Sequence, residues 1–162
     1  MTPIDWAKRP VLEKYADFTG RASRPEFWWY ALAYAVALIV TIIIDSMLDL
    51  NTMILGVYGP TTVLLLVALL PPGLAVSIRR LHDTNRPGWW ILALIVPQLV
   101  YSGLRIMMLH KMQSAPGTLP SGTGLMMLAG LVYLAAAIML IVFLASSGTE
   151  GDNDFGPKPV TD

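Results

Sequence analysis

Residues 27–44 read FWWYALAYAVALIVTIII, eighteen positions without a charged side chain. The hydrocarbon core of a bilayer is about 30 Å thick and a helix rises about 1.5 Å per residue, so roughly 20 apolar residues cross it. Three more stretches of this kind follow. Residues 53–78 hold 26 uncharged positions, 89–104 hold 16, and 125–145 hold 21. The third reaches membrane length if it runs on to Leu109 with Arg105 snorkelling to the interface. Lipid offers the backbone no hydrogen-bond partners, so each stretch must be a helix. The expected fold is all-α: a multi-pass membrane protein with four transmembrane helices and a short N-terminal amphipathic interfacial helix. Residues 1–162 read as a single membrane domain, with spans at about 26–46, 53–80, 88–109 and 124–146 and a tail at 148–162.

Composition agrees. Of 162 residues, 55% are hydrophobic and 14% charged, and mean hydropathy is +0.59. Soluble domains carry about a quarter charged residues, so an ordinary water-soluble fold is excluded, as are disorder and collagen-like repeats. Eleven basic residues balance eleven acidic ones. That leaves no global field calling for nucleic acid. The absence of cysteine removes disulfides, thiolate metal sites and cysteine nucleophiles. No small-residue cleavage pattern follows a short apolar core, so no cleavable signal peptide is expected and the first span should persist.

Orientation follows from Lys and Arg. Lys8, Arg9, Lys14, Arg21 and Arg24 precede the first span, Arg79, Arg80 and Arg86 follow the second, and Lys158 lies in the tail. Only Arg105 and Lys111 fall in the third connection, and the first has none. Both termini are therefore expected in the cytoplasm. Trp28, Trp29, Trp89 and Trp90 open the first and third spans on that side, where amphipathic rings favour the headgroups.

Val11, Leu12, Tyr15 and Phe18 share a face at helical spacing behind Pro10, which suits a first turn. A helix over about 10–19 is expected, either on the inner leaflet with its apolar face down or packed under the bundle. Ser23-Arg24-Pro25-Glu26 fits a capping box that starts the first span near Arg24. Pro71-Pro72-Gly73 is expected to break the second span and Pro97 to kink the third. Arg24-Pro25-Glu26-Phe27-Trp28-Trp29 is echoed by Arg86-Pro87-Gly88-Trp89-Trp90. A basic flank, a proline and an aromatic anchor suffice to explain the echo.

The chemistry-bearing residues gather at the inner end. The second span runs into Arg79-Arg80-Leu81-His82-Asp83, where Arg79 and Asp83 share a helix face and Arg80 lies three residues from Asp83. Across the interface lie Arg21, Arg24 and Glu26. The expected cluster is Arg21, Arg24, Glu26, Arg79, Arg80, His82 and Asp83. It has two readings: a phosphate or headgroup site, since arginine holds oxyanions through paired hydrogen bonds, or a clamp that fastens the first two spans. His82 has only Asp83 as an acidic neighbour, about 100° away on a helix. A proton relay would need Glu26 and a nucleophile, and no nucleophile-elbow, zinc-protease or phosphate-loop pattern is present. The span cores hold no ionisable residue, which argues against a proton-coupled pump but leaves a passive pore open. Met107, Met108, His110 and Met112 suit Cu(I) by ligand type or a flexible span end. Glu150, Asp152 and Asp154 lack the spacing of a calcium loop. No metal and no cofactor are expected.

Three segments carry a resemblance: Phe18–Trp28, Arg79–Asp83 with Gly88-Trp89-Trp90, and Gly148–Pro159. Together and in this order they resemble the domain-of-unknown-function 805 family of small bacterial inner-membrane proteins. About residues 105–124 the chain departs from that pattern and reads as longer than the usual member. The resemblance implies a multi-pass plasma-membrane protein and supplies no reaction, ligand or cofactor. The expected function is therefore non-enzymatic: a membrane interaction protein whose cluster organises the bundle and binds an anionic lipid headgroup or a partner. A second copy or another membrane protein is a candidate partner. A small transporter or channel component is the alternative, and an enzyme using His82 the third reading.

Overall fold

The computed structural model describes residues 1–50, 59–114 and 121–159. Among these there is no strand, only helices and one isolated bridge between Asn153 and Gly156. The helices are α1 (Pro3–Leu12), α2 (Arg24–Met47), α3 (Pro60–Asp83), α4 (Leu92–Ser114) and α5 (Thr123–Ala145), with a 3-10 turn at Gly88–Ile91 before α4. Among the described residues four segments are long and apolar enough to cross a membrane: α2, α3, the 3-10 turn with α4, and α5. The start expected for the second span at residue 53 lies outside the described residues, as do residues 115–120 of the third connection. The chain forms two compact units, residues 1–86 with the tail from 147, and residues 87–146.

In the first unit α2 and α3 form an antiparallel hairpin fastened at both ends. At one end Asp45, 1% exposed, closes α2 onto the start of α3. Its Oδ1 accepts the Thr61 amide (3.1 Å) and hydroxyl (2.6 Å), and its Oδ2 accepts the Thr62 amide (3.0 Å). The N-cap of α3 is Gly59, which has no side chain to offer. Asp45 supplies the missing cap from another helix, and its negative charge sits at the positive end of α3. Glycine is needed at 59 because a Cβ there would lie 2.4 Å from the Asp45 carboxyl carbon. At the other end Glu26 meets Arg79 at 2.6 Å. Nineteen residues separate Glu26 from Asp45, about 28 Å of helix. That matches the thickness of a hydrocarbon core. Between these levels the surface is apolar, with Leu32, Val36, Ile39 and Ile43 of α2 each at least half exposed.

Two expectations are corrected here. The N-terminal helix covers 3–12, not 10–19. Thr2 caps it, accepting from the Asp5 amide while the Asp5 carboxylate accepts from the Thr2 amide. Pro3 occupies the first turn, and Pro10 lies buried inside the helix rather than starting it. The chain after Leu12 is irregular up to Ser23. The second correction concerns Pro71 and Pro72, which do not break α3. Pro72 has no N–H, so the Ala68 carbonyl loses its helical donor. The Tyr15 hydroxyl donates to that carbonyl instead, and the Tyr30 hydroxyl donates to the neighbouring Leu69 carbonyl at 3.1 Å. The Tyr15 hydroxyl thus satisfies backbone that lipid cannot, and Tyr30 adds a second donor to a carbonyl one residue on. Helix α4 likewise runs on through Pro97.

The second unit is an α4–α5 hairpin. Trp90 meets Phe143 edge-on at 5.3 Å, and Tyr101 stacks on Tyr133 at 6.2 Å. Gly130 lets the Tyr101 ring come within 3.3 Å of where a Cβ would stand. Met108 is buried while Met107 and Met112 are exposed. Among the described residues no group of three or more His, Asp or Glu is placed to hold a metal.

Two predictions follow from the hairpin. Asp45→Ala removes three accepted hydrogen bonds from the start of α3 and is expected to destabilise the protein by about 1–3 kcal/mol. Gly59→Ala, which displaces the same carboxylate, should lower the melting temperature in detergent in parallel. Tyr15→Phe leaves the Ala68 carbonyl unpartnered and should cost about 1–2 kcal/mol. In a Pro72→Ala background the restored N–H takes over, and the same change should cost markedly less, as read by a double-mutant cycle.

Candidate functional site

Charged side chains are among the most buried large ones of the first unit. Arg79 and Arg80 are 0% exposed, Glu26 1% and Asp83 4%. Apolar surface outside and paired charge inside is the inverse of a soluble core, and it is tolerable only if the charges compensate one another.

The approach to the cluster is built by turns. The Asp17 carboxylate accepts from the Thr19 hydroxyl (2.6 Å) and amide (3.0 Å). The Thr19 hydroxyl, more than any other group, holds that carboxyl down at about 2. Gly20 then adopts φ +73°, a left-handed conformation that glycine takes without strain. This turn delivers Arg21 inward. The Ala22 amide donates to the Arg79 carbonyl at 3.0 Å, and Ser23 caps α2 by accepting the Glu26 amide at 3.3 Å. The expected capping box is only half present, because the Glu26 carboxylate turns to Arg79 instead of to the Ser23 amide.

All seven expected residues come together in the first unit, in two sub-clusters. In one, Glu26 accepts from Arg79 Nη1 through Oε1, and its Oε2 lies 3.6 Å from Arg9. Nε and Nη2 of Arg79 have no partner among the described residues. In the other, Asp83 is shared by two arginines. Arg21 donates from Nε to Oδ1 at 2.9 Å, and its Nη2 lies 2.8 Å from the same oxygen, while Arg80 pairs with Oδ2. Arg79 and Asp83 share a face of α3, yet they do not pair with each other: Arg79 meets Glu26 of α2, and Asp83 meets Arg21 and Arg80.

The tail closes this second sub-cluster, a role the sequence did not announce. Arg21 Nη1 donates to the Gly151 carbonyl at 2.7 Å and Nη2 to the Thr149 carbonyl at 2.8 Å. The Thr149 amide donates to the Asp83 carbonyl at 2.9 Å. Asn153 donates to the His82 carbonyl at 2.9 Å and to Thr149 Oγ1 at 2.8 Å. Gly148 lies so close to Asp83 that a Cβ there would meet Oδ2 at 2.1 Å. His82 is held as a structural group. Its Nδ1 donates to the Gly20 carbonyl at 3.1 Å, and its ring stacks on Phe155 at 4.0 Å with an interplanar angle of 4°. Arg24 is exposed and donates to Ser147 Oγ at 2.9 Å. Beside the cluster a cavity of about 180 Å³ is lined by Arg21, Arg24, Arg80, Asp83, Ser147 and Lys158, among others. Lys158 and the tail carbonyls are site groups that side-chain motifs did not reveal. Their trace in the sequence is the resemblance carried by Gly148–Pro159.

Arg21 ties its own segment to α3 and to the tail at once, so its loss should be felt in the tail first. Arg21→Ala strands Asp83 with one arginine and leaves tail carbonyls unpaired, a change expected to cost about 3–5 kcal/mol. Hydrogen exchange should show the Thr149 amide losing its protection, and Gly148→Ala should reproduce that loss by displacing the tail.

Comparison with known proteins places this arrangement. Residues 15–157 match the family described as "Protein of unknown function (DUF805)". The chain is 29% identical to the "Inner membrane protein YhaH" of Escherichia coli (strain K12) over 156 residues, covering 96% of this chain and 97% of that protein. It is 29% identical over 150 residues to the "Inner membrane protein YhaI" of the same organism, covering 92% and 91%. It is 31% identical over 142 residues to the "Uncharacterized protein YiiR", covering 86% and 84%. The near-complete mutual coverage with YhaH leaves the two chains close to equal in length. No solved structure matches. A family match over most of the chain, with all-helical architecture and four apolar helices of membrane length, leads to one conclusion: this chain is an inner-membrane protein belonging to the DUF805 family, whose function is unknown.

Proposed function

We propose that this protein is a non-enzymatic membrane interaction protein, with both termini in the cytoplasm, whose Arg/Glu/His/Asp cluster locks the membrane hairpin and the tail into one unit and presents surplus positive charge to an anionic lipid headgroup. The single observation that carries the reading is the double use of Asp83. One buried carboxylate serves both Arg21 and Arg80, while Arg24 lies beside them exposed. A cluster with more guanidinium than carboxylate at a membrane surface attracts anionic lipid.

The clamp and the headgroup site are two faces of the same cluster. The arginines facing the protein are held by Asp83, Glu26 and carbonyls, which orders them. His82 has a carbonyl and an aromatic ring for partners and Glu26 has two arginines, so the groups a proton relay would need are engaged structurally. The orientation rests on the excess of Lys and Arg at the N-terminus, after α3 and in the tail.

The absence of cysteine makes the orientation directly testable. Asp49→Cys should react with an impermeant maleimide in intact cells, and Glu150→Cys only after the inner membrane is opened. The reverse pattern overturns the topology. For the headgroup, protein purified in mild detergent should retain phosphatidylglycerol over phosphatidylethanolamine. Equal retention of the two lipids rejects the headgroup half of the reading.

A further inference from the structure

We infer that the cavity between the start of α2 and the tail is a phosphate site in which Arg24 and Lys158 grip the anion and Arg21 and Arg80 stand behind it. The inference rests on the headgroup reading above and narrows it to one pocket, two gripping residues and one chemical group.

Charge is the first argument. The cavity is lined by four cationic side chains and one carboxylate, Asp83. That carboxylate is already divided between Arg21 and Arg80. It neutralises at most one of them, so the wall keeps one net positive charge before Arg24 and Lys158 are counted. Such an excess suits a tetrahedral oxyanion with up to two negative charges better than a planar monocarboxylate.

Order is the second. Arg80 is 0% exposed and also donates to the Ala22 carbonyl at 3.4 Å, and Arg21 is held by the Thr149 and Gly151 carbonyls. These two guanidinium groups are fixed before any ligand arrives, so the back of the pocket loses little side-chain freedom on binding. Arg24 and Lys158 are exposed at the front. Lys158 enters no ion pair among the described residues, and Arg24 donates to Ser147 Oγ, a hydroxyl that also lines the cavity, which holds its guanidinium at the cavity's edge.

Size is the third. About 180 Å³ is room for about six waters at liquid density. It admits a phosphate and the first atoms of its ester and excludes an acyl chain. The α2 end contributes little through its backbone. Pro25 has no N–H, and the Glu26 amide is occupied by Ser23. Recognition therefore falls to the side chains, and the tail delivers Lys158, Ser147 and Thr149 among them. The tail is thus part of the binding site as well as part of the clamp.

The phosphate has two possible sources, a lipid headgroup or the free ion, and the experiment separates them. Full-length protein in a neutral detergent is titrated with inorganic phosphate and, in parallel, with short-chain phosphatidic acid, with short-chain phosphatidylcholine as control. Binding is read by calorimetry for the wild type, Arg24→Gln, Lys158→Gln and the exposed control Lys8→Gln. Each pocket variant should weaken binding at least about tenfold, the loss of one charge-assisted contact, while Lys8→Gln binds as wild type. Tighter binding of phosphatidic acid than of inorganic phosphate assigns the headgroup, and equal binding assigns the free ion; both support the site. Protection of the Thr149 amide in every variant shows that the tail has stayed docked. The assignment is overturned if the wild type binds neither phosphate compound, or if Arg24→Gln and Lys158→Gln bind as tightly as wild type. A protein that retains anionic lipid while both pocket variants bind normally keeps the headgroup reading and loses this pocket. One that binds inorganic phosphate through these residues but shows no lipid preference keeps the pocket and loses the headgroup.

Discussion

Asp83 is the residue on which the first unit depends. A charge taken out of water is costly unless it is paired and hydrogen-bonded. Five charged residues among the described residues of this unit are at most 4% exposed: Arg79, Arg80, Glu26, Asp45 and Asp83. Asp83 compensates Arg80 within its own helix and Arg21 from the segment before α2, and its backbone carbonyl accepts the Thr149 amide of the tail. One residue therefore satisfies partners on three segments, none of which has an apolar core large enough to hold it. The buried apolar set of this unit is small, mainly Ala22, Phe27, Tyr30, Ala75, Val76 and Leu81. In lipid, apolar helix faces gain little by meeting one another, so association leans on close packing and polar contacts. The ionic cluster supplies such contacts at one end of the hairpin and Asp45 at the other.

Much of this was legible in the amino-acid order. The four spans follow from uninterrupted apolar runs, and the start of α2 from Ser23 and Pro25. The meeting of Arg21 with Arg80 and Asp83 follows from both motifs flanking the same end of an antiparallel pair. What was not legible has common physical causes. The acceptors that saturate Arg21 are backbone carbonyls of Thr149 and Gly151, which every residue type possesses, so no side-chain pattern marks them. Asp45 caps a helix sixteen residues away, although local rules place the cap next to the helix it serves. Pro72 reads as a break because its rescue comes from Tyr15, more than fifty residues earlier.

The N-terminal helix is a different kind of miss. The spacing of Val11, Leu12, Tyr15 and Phe18 is helical, and Pro10 suits a start, yet the helix lies at 3–12. The deciding signal was Thr2-Pro3 with Asp5 three residues after the cap, the same grammar that located α2. Periodicity over four residues is weak evidence beside a complete capping box. The capping box expected at Ser23 is half made for a related reason: Glu26 has a stronger partner in Arg79 than in a backbone amide.

The two fastenings of the α2–α3 hairpin have a mechanical consequence. Glu26 with Arg79 and Asp45 with Thr61 sit about 28 Å apart along α2, and neither helix can slide along the other without breaking one of them. The hairpin is a gauge of fixed length. A thicker bilayer must pinch around it, and a thinner one must tilt it as a rigid ladder, at a fraction of a kcal/mol for each ångström of misfit. The protein is in this sense calibrated to the membrane it inhabits.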